Sequence, residues 1–424
     1  MKKSATVRIA LFLVLSIATS CLLSSCFIFG GSNREGYMTE AEVDRMIENA
    51  MLGDVMIDNV NEYDITIENG SGNLVAAAKG VLSAVSISCE FNIKKDALIS
   101  GATTKANAAG AGVIYKLDKT AGDAYIITNY HVIYNPDATT ANGISHNINV
   151  YLYGMESDSY AIPATFVGGS LTQDLAVLKV KGSRVLAMSN AAAVSIADSD
   201  EVSILDTAIA IGNPAAGGIS ATVGCVNVDS EYVSITAADG KTSVTFRLMR
   251  IDTAVNEGNS GGGLFNDKGE LIGIVNAKII SSGIDNIAYA IPTSVVCGVA
   301  DNIIHYCDGT GKEKPVKYTM GITMKTAAQY TVYDTETGKV HKKETVAVET
   351  ISDGGVAAEL FRVNDIIKRI TVDGKNYEID RMFQVIDCMF RVYSDSTLAI
   401  TVQRGAEELV ISVPVSRMSA SDVE

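Results

Sequence analysis

After residue 85 the apolar residues come in runs too short for helices and too regular for loops. Examples are Gly112-Val113-Ile114-Tyr115, Ala124-Tyr125-Ile126-Ile127-Thr128, Ile148-Asn149-Val150-Tyr151-Leu152, Leu175-Ala176-Val177-Leu178-Lys179-Val180 and Thr207-Ala208-Ile209-Ala210-Ile211. Turn signals separate them and no long helical period intervenes over some 220 residues, which predicts an antiparallel, all-β sandwich or barrel. Immediately before, Ala76 to Val85 has helical spacing and passes into the alternating strand Val85-Ser86-Ile87-Ser88-Cys89. A chain of 424 residues exceeds one ordinary core, so a second domain is expected. With 47% hydrophobic and 20% charged residues it reads as globular. A net charge of −15 leaves no basic stripe for phosphates, which argues against nucleic acid and for protein or small-molecule substrates.

One turn among these strands carries chemistry. Between an apolar approach from Arg250 and a second apolar run after Asp267-Lys268-Gly269, the chain reads Glu257-Gly258-Asn259-Ser260-Gly261-Gly262. Glycines there let the backbone bend sharply and let a carbonyl approach main-chain N–H groups. Ser260 is therefore a candidate nucleophile. A serine nucleophile needs a base that titrates near neutrality, and only four histidines are present. His131 ends a strand in Ile126-Ile127-Thr128-Asn129-Tyr130-His131; His146 lies in a polar loop, His305 on a helical pattern and His341 among lysines. His131 alone is placed to face a cleft. Its imidazole in turn needs a carboxylate, and Asp174 stands directly before the apolar strand Leu175 to Val180. Taken alone, Asp174 would read as a cap or turn former.

Taken together, His131 in T-N-Y-H-V-I, Asp174 in D-L-A-V-L-K-V and Ser260 in N-E-G-N-S-G-G resemble the triad blocks of the HtrA/Deg family of trypsin-like serine proteases, in the same order. Gly212-Asn213-Pro214 and Asn286-Ile287-Ala288-Tyr289-Ala290-Ile291-Pro292 also match blocks of that family. The similarity covers about residues 76–304. It implies a mainly β protein: a chymotrypsin-like protease domain of two six-stranded β-barrels over 76–305, with His131 and Asp174 from the first barrel and Ser260 from the second. It further implies an oxyanion hole from the amides of Gly258 and Ser260, and substrate pairing along Asn286, Ile287 and Ala288 as an added strand. Val255 and Ile279 would line an apolar pocket that favours small aliphatic residues before the cut. Two positions depart from the pattern. Glu257 replaces a frequent proline, and Gly263 stands where proline or alanine is common, so a looser turn is expected to weaken the resting oxyanion hole.

Beyond Pro315 the chain starts afresh. Thr319, Met320, Gly321 and Ile322 resemble the carboxylate-binding loop of a PDZ domain, which receives a peptide C-terminus on backbone N–H groups. A smaller α+β, PDZ-like domain over 316–417 is expected, with a helix around Asp380 to Phe390 and an unusually long, charged insert from Gln329 to Lys343.

At the other end, Lys2, Lys3 and Arg8 precede the apolar run Ile9 to Leu23 and then Leu23-Ser24-Ser25-Cys26. Residues 1–26 resemble a bacterial lipoprotein signal with Cys26 lipidated; Cys21 is a weaker match, and an uncleaved membrane helix is the alternative, since the run reaches the ~20 residues needed to span a bilayer. Residues 27–75 read as a tether with one helix from Thr39 to Met51. The five later cysteines, Cys89, Cys225, Cys297, Cys307 and Cys388, are odd in number and widely spaced, so they read as small core residues; no metal or other cofactor is expected, and no GxxxxGK[ST] loop is present to supply ATP. The expectation is a lipid-anchored serine endopeptidase at the outer face of the cytoplasmic membrane, acting on unfolded or misfolded proteins. Homotrimeric assembly is implied by resemblance only. The alternative is a chaperone or scaffold that holds unfolded chains, against which the full Ser/His/Asp set counts.

Overall fold

A computed structural model describes residues 72–94, 103–276 and 287–424. The signal segment with Cys21 and Cys26, the helix expected over 39–51, Ile279 and Asn286 lie outside the described residues. The described residues all fall in one compact unit.

The short apolar runs are strands, and they close twice. The first barrel contains β1 (Ala84–Lys94), β2 (Thr103–Asp118), β3 (Asp123–Thr128), β4 (Asn147–Leu152), β5 (Ile162–Ser170) and β6 (Leu175–Val180), in the order β1-β2-β3-β6-β5-β4. The second contains β7 (Thr207–Gly212), β8 (Ser220–Thr236), β9 (Ser243–Ile251), β10 (Gly263–Phe265), β11 (Leu271–Val275) and β12 (Ala288–Pro292), in the order β10-β11-β12-β9-β8-β7. Both are antiparallel and six-stranded, the double-barrel architecture that the resemblance implied.

The runs read as continuously apolar because several strands are covered on both faces. Successive side chains point to opposite faces, so a single run supplies two cores. In β6, Ala176, Leu178 and Val180 fill the first barrel, while Leu175 and Val177 join a separate cluster. In β7, Ala208 and Ala210 fill the second barrel and Ile209 and Ile211 join that same cluster. The shared cluster therefore glues the barrels together, and Phe265, Ile274 and Ile291 belong to it as well. Each fully buried Ile or Leu there stabilises by about 1.5–3 kcal/mol. The helix Gly72–Ser83 packs on it through Ala76, the first buried residue of the cluster, while Leu74 ahead of it is exposed. The helix Thr293–Cys307 packs there too, burying Val295, Val296, Val299 and Ile303.

The C-terminal part is an α+β domain with its own core around Val346, Ile370, Ile400 and Val402. A sheet of order β14-β15-β16-β18-β19 is built from β14 (Ile322–Tyr333), β15 (Val340–Ile351), β16 (Ile366–Val372), β18 (Leu398–Arg404) and β19 (Glu407–Val413), with β17 (Lys375–Glu378) on β16. The helix Met382–Cys388 lies over it. The charged insert is the outer half of the β14–β15 hairpin, where Tyr330 pairs with Lys343 and Tyr333 with Val340. β13 (Val316–Thr319) pairs with β20 (Ser419–Asp422), which carries ordered structure past the residue 417 at which the sequence reading ended the domain. Ser-Ala-Ser-Asp has no strand pattern of its own; the partner strand makes it one.

The cysteines divide. Cys89, Cys297, Cys307 and Cys388 are buried, but Cys225 is not a core residue: its thiol lies on the Asp252 carboxylate at 3.4 Å on the accessible side of β8.

Candidate active site

The seam between the barrels brings three distant segments together. β3 ends at Thr128 and the chain enters the one-turn helix Tyr130–Ile133, which carries His131. β6 pairs with β3, Ala176 opposite Thr128, so Asp174 just ahead of β6 falls beside that turn. Ser260 comes from the loop between β9 and β10, and its carbonyl accepts from Ala111 N of β2 at 2.9 Å, which stitches the second barrel to the first.

Asp174 and His131 are coupled directly. His131 Nδ1 lies 2.7 Å from Asp174 Oδ2, and His131 N donates to Oδ1 at 3.0 Å. The carboxylate is 4% exposed, deeper than its place at a strand boundary suggested. Burial is tolerated because a third donor, Asn276 Nδ2, reaches Oδ2 at 2.8 Å. Asn129 Nδ2 donates to the Asp174 carbonyl at 2.9 Å. That bond fixes an unusual backbone, since Asp174 has φ +49, in the left-handed region that residues with a Cβ avoid. Asn129 and Asn276 are fully buried, and among the described residues the Oδ1 of each has no partner. The orientation follows from charge: turning either amide over would point a carbonyl at the oxygens of Asp174. Sequence reading missed both asparagines. Asn129 was visible only as a polar residue at a strand end, and Asn276 is 102 positions from Asp174.

The serine turn is braced rather than loose. Ala215 N donates to Glu257 O at 2.8 Å and Asn213 N to Gly258 O at 3.2 Å, so the Gly212-Asn213-Pro214 segment holds the turn from behind. Gly258 has φ +95, and a Cβ there would stand 2.1 Å from Asn213 O. Gly261 has φ +83, and its Cβ would meet Ala111 O at 2.2 Å and Thr128 Oγ1 at 2.3 Å, so the residue after Ser260 lies against the strand end that leads to His131. The expected weakening by Glu257 is thus offset by main-chain bonds that need no proline. Asn259 is buried and its carbonyl receives Gly262 N at 3.0 Å. Among the described residues the amides of Gly258 and Ser260 donate no hydrogen bond, which leaves two N–H groups for an incoming oxygen. Ser260 itself is buried.

Of the remaining candidates, Val255 is partly buried against the second-barrel core, Ala288 pairs with Ile251 and Ile287 precedes β12. His146 is exposed beside Glu90 Oε1 at 3.4 Å, His305 stacks on Tyr393 at 4.3 Å between ring centroids and His341 lies near Ser203 Oγ. None of these three joins the site. In the C-terminal domain, Met320 is buried and Gly321 has φ +82 with its carbonyl bonded to Ser352 N at 2.8 Å; Thr319 ends β13 and Ile322 begins β14. Among the described residues no three His, Cys, Asp or Glu side chains gather as a metal site requires.

An acid, an imidazole and a hydroxyl set on one seam, with free amides beside the hydroxyl, suit acyl transfer. Residues 110–274 match the family model of the trypsin-like peptidase domain. Barrels, seam and peptidase match together define a trypsin-like serine endopeptidase. The Do-like serine protease HtrA of Lactococcus lactis subsp. cremoris (strain MG1363) is 30% identical over 326 residues, 74% of this chain and 72% of that protein. The chain belongs to the HtrA family of serine proteases. The HtrA of Bacillus subtilis (strain 168) is 35% identical over 198 residues, 46% of this chain and 39% of that protein. Among solved structures, the HtrA-type protease AlgW with decapeptide aligns over 84% of this chain and 99% of its own, at 21% identity and a TM-score of 0.48.

Proposed function

We propose that the chain hydrolyses peptide bonds of unfolded or misfolded exported proteins by a Ser/His/Asp mechanism. Ser260 attacks the carbonyl, His131 takes the proton and returns it to the leaving amine, Asp174 orients His131 through the 2.7 Å bond to Nδ1, and the Gly258 and Ser260 amides receive the oxyanion. The coupling of His131 to the thrice-bonded Asp174 carboxylate is the observation that carries this reading. Val255 and Ile279 favour Val, Ala or Ile before the cut, and Asn286, Ile287 and Ala288 pair with the substrate backbone. The C-terminal domain, read as a PDZ domain through Thr319, Met320, Gly321 and Ile322, takes peptide C-termini. Lipidation at Cys26 anchors the protein at the outer face of the cytoplasmic membrane, and assembly is trimeric.

Casein digestion by the parent and by Ser260→Ala tests the mechanism. Removing the nucleophile of such a triad costs about 10⁶-fold in kcat, so the variant is expected to leave casein intact; digestion at the parental rate would overturn the reading. Mass-spectrometric mapping of the same digests checks the pocket, since cuts chiefly after Lys or Arg would rule out the apolar assignment. Labelling with a radioactive fatty acid, lost in Cys26→Ala, checks the anchor; label retained in the variant would move it elsewhere.

A further inference from the structure

The turn that carries Asp174 is tied to the far end of the chain. Ser170 closes β5, is fully buried, and accepts from Gln173 N at 3.1 Å, which shapes the approach to Asp174. The same hydroxyl donates to the main-chain oxygen of Glu424 at 2.7 Å. Thr172 donates to that oxygen twice, from its amide at 2.6 Å and its hydroxyl at 2.5 Å. Glu424 is delivered there by the β13–β20 pairing, by Val423 N donating to Pro315 O at 2.8 Å, and by Lys314 Nζ on Glu424 Oε2 at 2.6 Å. One residue ahead of Ser170, Gly169 N donates to Glu313 O at 2.8 Å. A Cβ at Gly169 would stand 2.6 Å from the ring of Tyr130, the neighbour of His131. Burial first, then Tyr134, Glu313 and Glu424, push the Tyr130 phenol up to about 12.

A left-handed φ on a residue with a Cβ persists only where the surroundings over-determine it. At Asp174 one determinant is Asn129. The other is the 170–173 turn, whose two hydroxyls and one amide converge on a single atom of residue 424. We propose that Val423 and Glu424 act as a positioning strap for the acid of the active site: by pinning Ser170 and Thr172 they fix the turn that sets the Asp174 backbone, and with it the aim of the carboxylate at His131. This rests on Asp174 serving as the orienting acid. Thr172, Val423 and Glu424 are positioning residues and touch no substrate.

Deleting residues 423–424 in the full chain removes the acceptor and keeps β20. Thr172→Val removes one donor, and Thr172→Ser restores it. With a chromogenic peptide carrying Val before the scissile bond, the deletion is expected to lower kcat by about 10- to 100-fold, the scale of a sub-ångström to ångström misplacement, with KM within about twofold. Thr172→Val is expected to lose a smaller part of kcat and Thr172→Ser to recover it. The downfield NMR signal of the His131 Nδ1 proton should shift or broaden in the deletion, a readout that a merely structural role would leave in place. Parental kcat and a parental proton signal in the deletion, with Ser260→Ala inactive, overturn the strap and leave the protease mechanism standing. Undiminished cleavage by Ser260→Ala overturns the mechanism, and the strap with it.

Discussion

At the residue scale the site is organised by what surrounds Asp174. Three donors satisfy a nearly buried carboxylate, and hydrogen bonds to a charged group contribute about 1.5–3 kcal/mol each. Asn276→Leu keeps the volume and removes one donor, so kcat is expected to fall by about 10- to 100-fold with little change in KM. Steady-state kinetics decide it; a kcat equal to that of the parent would show that His131 alone aims the carboxylate. A second residue explains a departure from the family pattern. At Gly263 an added Cβ would stand 2.4 Å from Phe265 Cε2 and 2.6 Å from Cζ, and Phe265 is fully buried with nowhere to move. Gly263→Ala is therefore expected to destabilise by about 1–3 kcal/mol, and Phe265→Leu on top of it to recover part of the loss. Thermal denaturation of the two single variants and the double gives the coupling. Strict additivity would mean that the ring is not what requires the glycine.

At the element scale, the strand ends matter more than the strands. His131, Asp174 and Ser260 all stand just outside ladders, where a side chain can face a cleft while its neighbours keep their pairing. The helix Thr293–Cys307 shows how such ends are fastened. Asp308, its C-cap, accepts from Lys179 Nζ of β6 and from Tyr125 OH of β3, both at 2.6 Å. The Lys179 ammonium first, then the Tyr125 phenol, hold the Asp308 carboxyl below the usual carboxylate range. A carboxyl lowered on folding contributes stability that is complete above its unfolded value, about 3.9, and is lost as the pH falls through the folded one. The group is part-exposed, so its share is on the order of 1 kcal/mol. Asp308→Asn should lower the thermal midpoint at pH 7 and narrow its gap from the parent at pH 3. A gap of the same size at both pH values would mean that charge is not involved.

At the scale of the whole molecule, the C-terminal domain is bolted to the protease by buried polar groups. Arg247 of β9 pairs with Asp387 of the helix Met382–Cys388, donates to Ser294 Oγ at 2.8 Å and Asp200 Oδ1 at 3.0 Å, and stacks 3.4 Å from the centroid of the Phe383 ring. Burial pushes the Asp387 carboxyl up, and Arg247 is the partner that opposes it. Asn302, fully buried, adds bonds to the Val316 and Phe390 carbonyls and receives Val316 N. Removing one partner of a buried pair costs about 3–5 kcal/mol, whereas replacing both by apolar groups costs little. Arg247→Ala is therefore expected to raise amide exchange throughout the helix Met382–Cys388, and Arg247→Met with Asp387→Leu to restore protection. Hydrogen exchange read by mass spectrometry checks this; unchanged protection in Arg247→Ala would show that the apolar contacts suffice.

By itself the sequence determined what depends on local chemistry. Short β-branched runs between turn signals dictate paired strands, and glycines around Ser260 dictate a turn that only they can make, because each constraint acts within a few residues. The three candidate residues were legible for the same reason: each sits in its own local block at a strand end. Tertiary structure alone decided the rest. Which face of Leu175 to Val180 fills a barrel and which fills the seam depends on a sheet closing on itself. That Asn129 and Asn276 converge on Asp174, that Arg247 meets Asp387 140 positions away, and that residue 424 closes on the turn before Asp174 follow from pairings between segments far apart in the chain. Such contacts leave no periodic trace, since a polar residue that will be satisfied by a distant partner reads the same, locally, as one that will be satisfied by water.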